Sequence, residues 1–417
     1  MTALAQADAL RLPLADDSVD LVVTSPPYFA LRSYQDGDEH YDGQIGSEAT
    51  PQEFLEALWA ATVEMVRVVK PSGSIFVNLG DKYAGSGGHN NAGVGGTGRG
   101  PSTYTKASGH ARPKSLMGLP WRYAIGCIDD LGLILRSEIV WSKPNGLPEN
   151  TTDRVRRSHE QWFHFTLEPH YFSAIDEIRE AHISPANGVT VEARRAADPE
   201  AYETPNRHLN AGKQPLPKFA GNPKGKLPSS VWVVPTEPLR VPDHLGVDHF
   251  AAFPQEWPRR LILGWCPQEV CSECGEGRAP IVEKEPTGRG MSVEDRRADP
   301  RYEASSRRNI EVKDGTTTGA TPSFASYSHT ITGYACACRD GDEHVADTSA
   351  PSTPGVVLDP FAGTGTVPMV ARALGRTGIG VDLSADYLRL ADWRIHESGH
   401  AAKTMQRTNA ERQGTLL

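Results

Sequence analysis

Thr24-Ser25-Pro26-Pro27-Tyr28 closes the apolar run Val19-Asp20-Leu21-Val22-Val23. Neither proline carries an N–H, so the turn offers carbonyl acceptors without competing donors, and the fixed φ angles hold them in place. An aromatic ring follows at once. Rigid acceptors beside a ring suit an exocyclic amino group on a flat base: the turn accepts both N–H hydrogens while the ring covers the base. A Pro-Pro pair also serves as an ordinary stiff turn, so the chemical reading needs a second motif.

That motif is Val356-Val357-Leu358-Asp359-Pro360-Phe361-Ala362-Gly363-Thr364-Gly365-Thr366. A short apolar strand ends in an acid, a Gly-x-Gly loop follows, and then a helical run from Val367 to Leu374. Gly378–Asp382 reads as a second strand ending in an acid. This is a βαβ unit with a nucleoside-type site at its strand ends. The full G-x-G-x-x-G fingerprint is absent, so no pyrophosphate cradle is expected. Asp382 stands about 20 residues past the loop, where a carboxylate accepts from ribose hydroxyls. A glycine loop of some other α/β protein is the plainer alternative.

Together the two motifs resemble the DNA amino-methyltransferases, which use S-adenosylmethionine to methylate N4 of cytosine or N6 of adenine. The target motif comes first and the cofactor loop last, an order similar to the permuted β class. Asp8 and Leu12–Asp20 lead into Thr24–Tyr28 as that family's entry does, and Phe253-Pro254 with Pro258 to Ile262 resembles the helix before its cofactor loop. The resemblance implies a class I, Rossmann-like α/β fold: a mostly parallel seven-stranded sheet, circularly permuted, its last strand antiparallel. It implies Ser25, Pro26, Pro27 and Tyr28 as the catalytic turn. It assigns Asp359, Pro360, Phe361, Gly363, Gly365 and Thr366 to the methionine end of the cofactor, Asp382 to the ribose and Asp8 to the adenine amine. Phe29 is a second stacking ring or a core residue.

Serine before Pro-Pro-Tyr resembles the N4-cytosine enzymes, whereas aspartate there more often accompanies N6-adenine enzymes. A catalytically inactive DNA-binding protein of this fold, and methylation of RNA or protein amides, are the other readings. In the implied mechanism the base leaves the duplex, because its amino group is otherwise paired. Tyr28 stacks on it. Ser25 and the Pro26 carbonyl accept its hydrogens, which localises the nitrogen lone pair for attack.

Stepping outward, the elements needed to hold these residues are readable. Thr50 and Glu53 flank Pro51 as a capping box with proline at the first helical position, and the helix runs to about Val69. Pro71-Ser72-Gly73 turns it into the strand Ser74–Leu79. A second helix spans about Pro120 to Leu131 and stops at Gly132. Leu133–Trp141 and Gln161–Thr166 read as strands, the latter extended by Tyr171-Phe172.

The expected organisation is a catalytic part over 1–180, a target-recognition region over 181–235, a return to the core over 236–266, a Cys-rich insertion over 267–354 and a cofactor part over 355–417. Residues 84–106 form a glycine-rich loop just past a strand end. Net charge is −9, which argues against a general DNA-coating protein. A sequence reader needs only a local basic face. Thr204–Thr236 supplies one in Arg207, Lys213, Lys218, Lys224 and Lys226, with no acid among them. A solvated loop has the same composition.

Four of the six cysteines lie in the insertion. Cys271-x-x-Cys274 and Cys336-x-Cys338 have the spacing of a tetrahedral structural zinc site, with Gly275 at the knuckle turn and Cys266 as a competing ligand. Cys127 has the apolar neighbours of a core residue. No membrane span or signal pattern is present, which points to a cytoplasmic protein. Duplex DNA is the expected partner; whether a cognate restriction endonuclease accompanies it is left open by the sequence. The sequence does not set an oligomeric state.

Overall fold

The computed structural model describes residues 1–30, 44–84, 112, 114–146, 149, 151–180, 226–239, 241–246, 253–286, 327–336 and 351–396, with short strand pieces at 35–36 and 39–40. The chain divides into two units. The first comprises Met1–Ile178, Ser229–Ala279 and Ala335–Leu417; the second comprises Arg179–Pro228 and Pro280–Tyr334.

The first unit is built on one sheet. Its strands are β1 (Thr2–Gln6), β2 (Val19–Thr24), β3 (Val69–Leu79), β4 (Ile134–Ser142), β5 (His159–Thr166), β6 (Val231–Val233), β7 (Val356–Asp359) and β8 (Thr377–Asp382). Their spatial order is β1-β8-β7-β2-β3-β5-β4-β6. Only β5 runs against its neighbours, pairing antiparallel with both β3 and β4. Among the described residues the α-helices are α1 (Pro51–Val68), α2 (Leu119–Asp129), α3 (Glu256–Trp265), α4 (Thr366–Ala373) and α5 (Ala385–His396).

Every residue of β2 is buried. A strand covered on both faces reads as a continuous apolar run, and its alternation appears only in where the side chains go. Val22, Ile75, Val77 and Leu358 join one core with α1 and α2. Leu21, Val23, Phe76 and Val357 join the other with α3 and α4. Each fully buried large side chain there contributes roughly 1.5–3 kcal/mol. Asp20, the one acid in β2, is neutralised: Lys70 lies 2.6 Å from Oδ1, and the Val356 amide donates to Oδ2 at 2.7 Å. That pairing joins the starts of β2 and β7.

The capping box of α1 is present as expected. Thr50 accepts from the Glu53 amide, and the Glu53 carboxylate accepts from the Thr50 amide. The expected turn at Pro71-Ser72-Gly73 is instead an irregularity inside β3. Val69 pairs with Val19 and Ser74 with Leu21, so the chain between them bulges out of register. The extension of β5 through Tyr171-Phe172 does not form. Thr166 donates its hydroxyl to the Glu168 carbonyl, which bends the chain, and Pro169 has no amide for a ladder. Phe172 donates its amide to Ser72. The sheet also has one strand more than the seven expected. β6 adds at its edge, with Trp232 buried between Trp257 and Arg260. Residues 231–233, placed in the recognition region by sequence, thus belong to the sheet.

In the second unit Glu180 and Lys226 exchange backbone hydrogen bonds and form an ion pair of 3.2 Å. The strands Ala279–Pro286 and Tyr327–Ala335 pair as a two-stranded sheet almost wholly within it. No helix among the described residues is long and apolar enough to cross a membrane.

Candidate active site

Seven strands share one direction, so β1, β8, β7, β2 and β3 deliver their carboxyl ends to one edge, and antiparallel β5 begins there. The two sequence motifs, far apart in the chain, end neighbouring strands. Val357 and Leu358 of β7 pair with Leu21 and Val22 of β2. One hydrogen bond ties the motifs directly: the Thr24 hydroxyl donates to Asp359 Oδ1 at 2.7 Å, fully buried.

Asp359 is the electrostatic centre of the glycine-loop half of this edge. Burial pushes its carboxyl up to about 7; the Thr24 hydroxyl and the Phe361 amide pull it down, and nearby Asp382 pushes it further up. Its second oxygen, Oδ2, is buried and has no hydrogen-bond partner among the described residues. The glycine loop folds around it with Gly363 and Gly365 at φ +47° and +70°, conformations that L side chains rarely adopt. At Gly365 a Cβ would also meet Ala391 at 2.7 Å. Asp382 holds the loop by accepting from the Gly363 amide at 2.8 Å and the Ser384 amide at 2.9 Å. Gln6, the last residue of β1, lies opposite Asp382 in the ladder. Asp8 therefore emerges beside Asp382, exposed, with Oδ1 accepting from the Leu10 amide. Pro360 is buried, and Phe361 packs half-buried against the core. Thr366 serves the loop itself: its hydroxyl and that of Thr364 accept from buried Arg394 at 2.7 and 2.8 Å.

The half around Tyr28 is a network of side chains. Tyr28 points its hydroxyl at Asn78 Oδ1, 2.8 Å away, and Glu160 Oε2, 2.9 Å away. Ser25 donates to the same Asn78 oxygen at 3.2 Å, which leaves its own lone pairs as acceptors. The Asn78 amide nitrogen donates to the Gln161 carbonyl. Glu160 is ion-paired with Lys143, whose ammonium lies 4.0 Å from the centre of the Trp141 ring. Gly80 gives the Tyr28 ring its place, since a Cβ there would meet Cε2 at 2.6 Å. Phe29 is a core residue, packed against Phe54 with ring centroids 5.5 Å apart.

Asn78, Glu160 and Arg394 were missed from sequence. Arg394 had a signal: it occupies the apolar stripe of α5 with Leu390, Ala391 and Ile395, all buried. A charge on such a stripe needs a buried acceptor. Asn78 and Glu160 end ordinary strands and carried none.

The cysteines lie at the other edge. The strand Glu269–Cys271 pairs antiparallel with Ser352–Pro354, which leads through Gly355 into the start of β7. Cys271, Cys274 and Cys336 bring their sulfurs to within 4.8 Å of one another. Cys338 lies outside the described residues. Cys266 is buried elsewhere, its sulfur 3.6 Å from the Pro267 carbonyl, and Cys127 is a core thiol pushed up to about 12 by burial. Of the basic residues, Arg207, Lys213, Lys218 and Lys224 lie outside the described residues, as do 85–106 of the glycine-rich loop, and Lys226 is paired with Glu180.

The DNA methylase family profile matches residues 19–269 and 343–392, and the chain belongs to that family. Among relatives, Type II methyltransferase M.XycI of Xanthomonas campestris pv. cyanopsidis is 41% identical over 198 residues, 46% of this chain and 62% of that protein. Type II methyltransferase M.SmaI of Serratia marcescens is 31% identical over 252 residues, 60% of this chain and 70% of that one. The match thus spans less than two thirds of M.XycI. Among solved structures, the cytosine-N4-specific PvuII DNA methyltransferase is 14% identical, with a TM-score of 0.49 over 99% of this chain and 93% of that one.

The residues at the β7–β8 edge fit S-adenosylmethionine. A buried carboxylate oxygen with no donor suits the ammonium of its methionine end. Asp382 and Asp8 stand on the same edge, at the ends of the paired strands β8 and β1.

Proposed function

We propose that this chain transfers a methyl group from S-adenosylmethionine to the N4 amino nitrogen of a cytosine in duplex DNA. The carrying observation is the Thr24–Asp359 hydrogen bond, which sets the carbonyl-lined turn directly beside the cofactor loop. Asp359 and Asp382 would hold S-adenosylmethionine, which would supply the methyl group: the N–C bond would form as the methyl–sulfur bond breaks, S-adenosylhomocysteine would leave, and the nitrogen's surplus proton would pass to solvent water. The chain's own part is placement. Ser25 and the Pro26 carbonyl accept the amino hydrogens and draw the lone pair out of the ring's delocalised system. Tyr28, locked through its hydroxyl to Asn78 and Glu160, presents a ring for the base to stack on. No side chain forms a covalent bond to the base, so proximity and electrostatics supply the acceleration.

The amino group is paired within a duplex, so the base is flipped out to reach this edge. The 181–235 region, with its lysines and arginine, is the proposed DNA-recognition surface. The protein works in the cytoplasm beside a cognate restriction endonuclease, in keeping with the Type II methyltransferases it is similar to. Serine at position 25 favours cytosine over adenine in this proposal.

Nucleoside mass spectrometry on DNA from a host expressing the chain is the test. New N4-methylcytosine is expected. New N6-methyladenine with no N4-methylcytosine would transfer the reading to adenine. Neither base, from a protein that still binds radiolabelled cofactor, would reject methylation of DNA.

A further inference from the structure

Between the two segments matched by the family profile lie residues 270–342, which contain Cys271, Cys274 and Cys336. Nothing in the methyl-transfer site uses them. Yet three thiols, one of them 62 positions further along the chain than the nearest of the others, come together with all sulfurs within 4.8 Å. Tetrahedral zinc with sulfur bonds of about 2.3 Å sets its sulfurs about 3.8 Å apart, which this cluster can meet with small side-chain adjustments.

The local backbone has the form such a site needs. Gly275 donates its amide to the Cys271 carbonyl at 2.9 Å, and Cys271 donates to the Glu276 carbonyl at 2.9 Å. Gly275 takes φ +74° with open space beside it, so the chain reverses tightly after Cys274. The turn is braced from outside the cluster. Ser272 donates to the Pro351 carbonyl, and Arg278 pairs with Glu269 at 2.7 Å. Apolar packing does not explain the grouping, because Cys274 is exposed, unlike the core thiol Cys127.

We propose that Cys271, Cys274 and Cys336 bind a structural zinc ion that fastens the root of the insertion to the amino edge of the sheet. Zinc is four-coordinate, so these three thiolates leave one position for a further ligand. The ion is remote from methyl transfer by construction. Cys271 pairs with Ser352, which stands before β7, and Asp359 stands at that strand's far end. Closing the long segment between the cysteines costs little more than closing a short one, since the entropy grows logarithmically with length. The metal then stabilises only the folded arrangement.

Elemental analysis of the full chain, purified without chelator, should find about one zinc per chain. Replacing zinc with cobalt(II) should give the intense absorption of tetrahedral thiolate coordination. Cys274→Ser and Cys336→Ser should each lower the zinc retained after dialysis against a weak chelator at least tenfold, with Cys127→Ser as the unaffected control. A wild-type protein that folds and binds cofactor without zinc would overturn the proposal. So would a Cys271–Cys274 disulfide, seen as a loss of two hydrogens by mass, or unchanged zinc in the Cys271→Ser/Cys336→Ser double variant. If the serine variants do not fold, the cobalt spectrum of the wild-type chain decides alone, and its absence overturns the site.

Discussion

The two halves of the carboxyl edge are built on opposite electrostatic plans. Around β7 and β8, acids gather: Asp359 is buried with one oxygen that has no hydrogen-bond partner among the described residues, and Asp382 and Asp8 stand close by. Around β2, β3 and β5, charge is cancelled on the spot: Glu160 faces Lys143, and Tyr28, Ser25 and Asn78 are neutral. A cluster of acids binds a cation well and a neutral ring poorly. A neutral, hydrogen-bonded frame does the reverse, and its value lies in fixed shape. On the function proposed above, the cation-bearing cofactor belongs to the first half and the uncharged base to the second.

The sharpest way to break this division is a pair of truncations. Tyr28→Ala should lower kcat by about a thousandfold while leaving cofactor Kd nearly unchanged. Asp359→Ala should weaken cofactor binding by about a hundredfold, on the scale of a lost preorganised electrostatic contact. Equilibrium binding and single-turnover rates separate the two. Loss of cofactor binding in both folded variants would end the division.

Arg394→Met tests whether the cofactor loop is held from behind. It removes charged hydrogen bonds to Thr364 and Thr366 and should cost about 2 kcal/mol of stability. Thermal unfolding would show it, and cofactor Kd should rise as the loop loosens.

Acidity sharpens the comparison further. The carboxyl of Asp359 titrates at about 7 when folded, against an ordinary 3.8. Because the folded value is raised, its contribution to stability is fully present below 3.8 and is lost as pH rises to about 7. Asp359→Asn should therefore stabilise the cofactor-free protein at pH 8 more than at pH 5. Cofactor binding runs the other way, since a cation needs the ionised acid. Wild-type affinity should fall up to about tenfold per pH unit below 7, and the asparagine variant should show no such slope.

The smallest expected effect probes the target half. Tyr28→Phe keeps the ring and removes the hydroxyl bonds to Asn78 and Glu160. A rate loss of about threefold is expected, as for one modest hydrogen bond, with cofactor Kd unmoved. A loss equal to that of Tyr28→Ala would show that the hydroxyl, not the ring, carries the function.

What was legible in the sequence were features that act through backbone chemistry. Pro26-Pro27 lacks donors wherever it sits, and Gly363 and Gly365 announce a turn that other residues resist. Asn78 and Glu160 were illegible because their roles are pairings across 50 and 132 positions. β6 was illegible for a related reason: Val231-Trp232-Val233 becomes a strand only because β4 offers an edge to it. The cysteine spacing was visible, but the pairing of Glu269–Cys271 with Ser352–Pro354 that anchors the knuckle was not.

The junction of β2 with β7 also has a consequence for how the chain is made. β2 leaves the ribosome early, and the strand that covers one of its edges follows some 335 positions later. At about 5–20 residues per second, that is a delay of about 20–70 s. Throughout it, six residues destined for full burial keep an unpaired edge, and β1 waits even longer for β8. An unpaired apolar edge recruits strands from other chains. Slowing translation between β3 and β7 should therefore lower the soluble yield, and chaperones that shield strand edges should restore it.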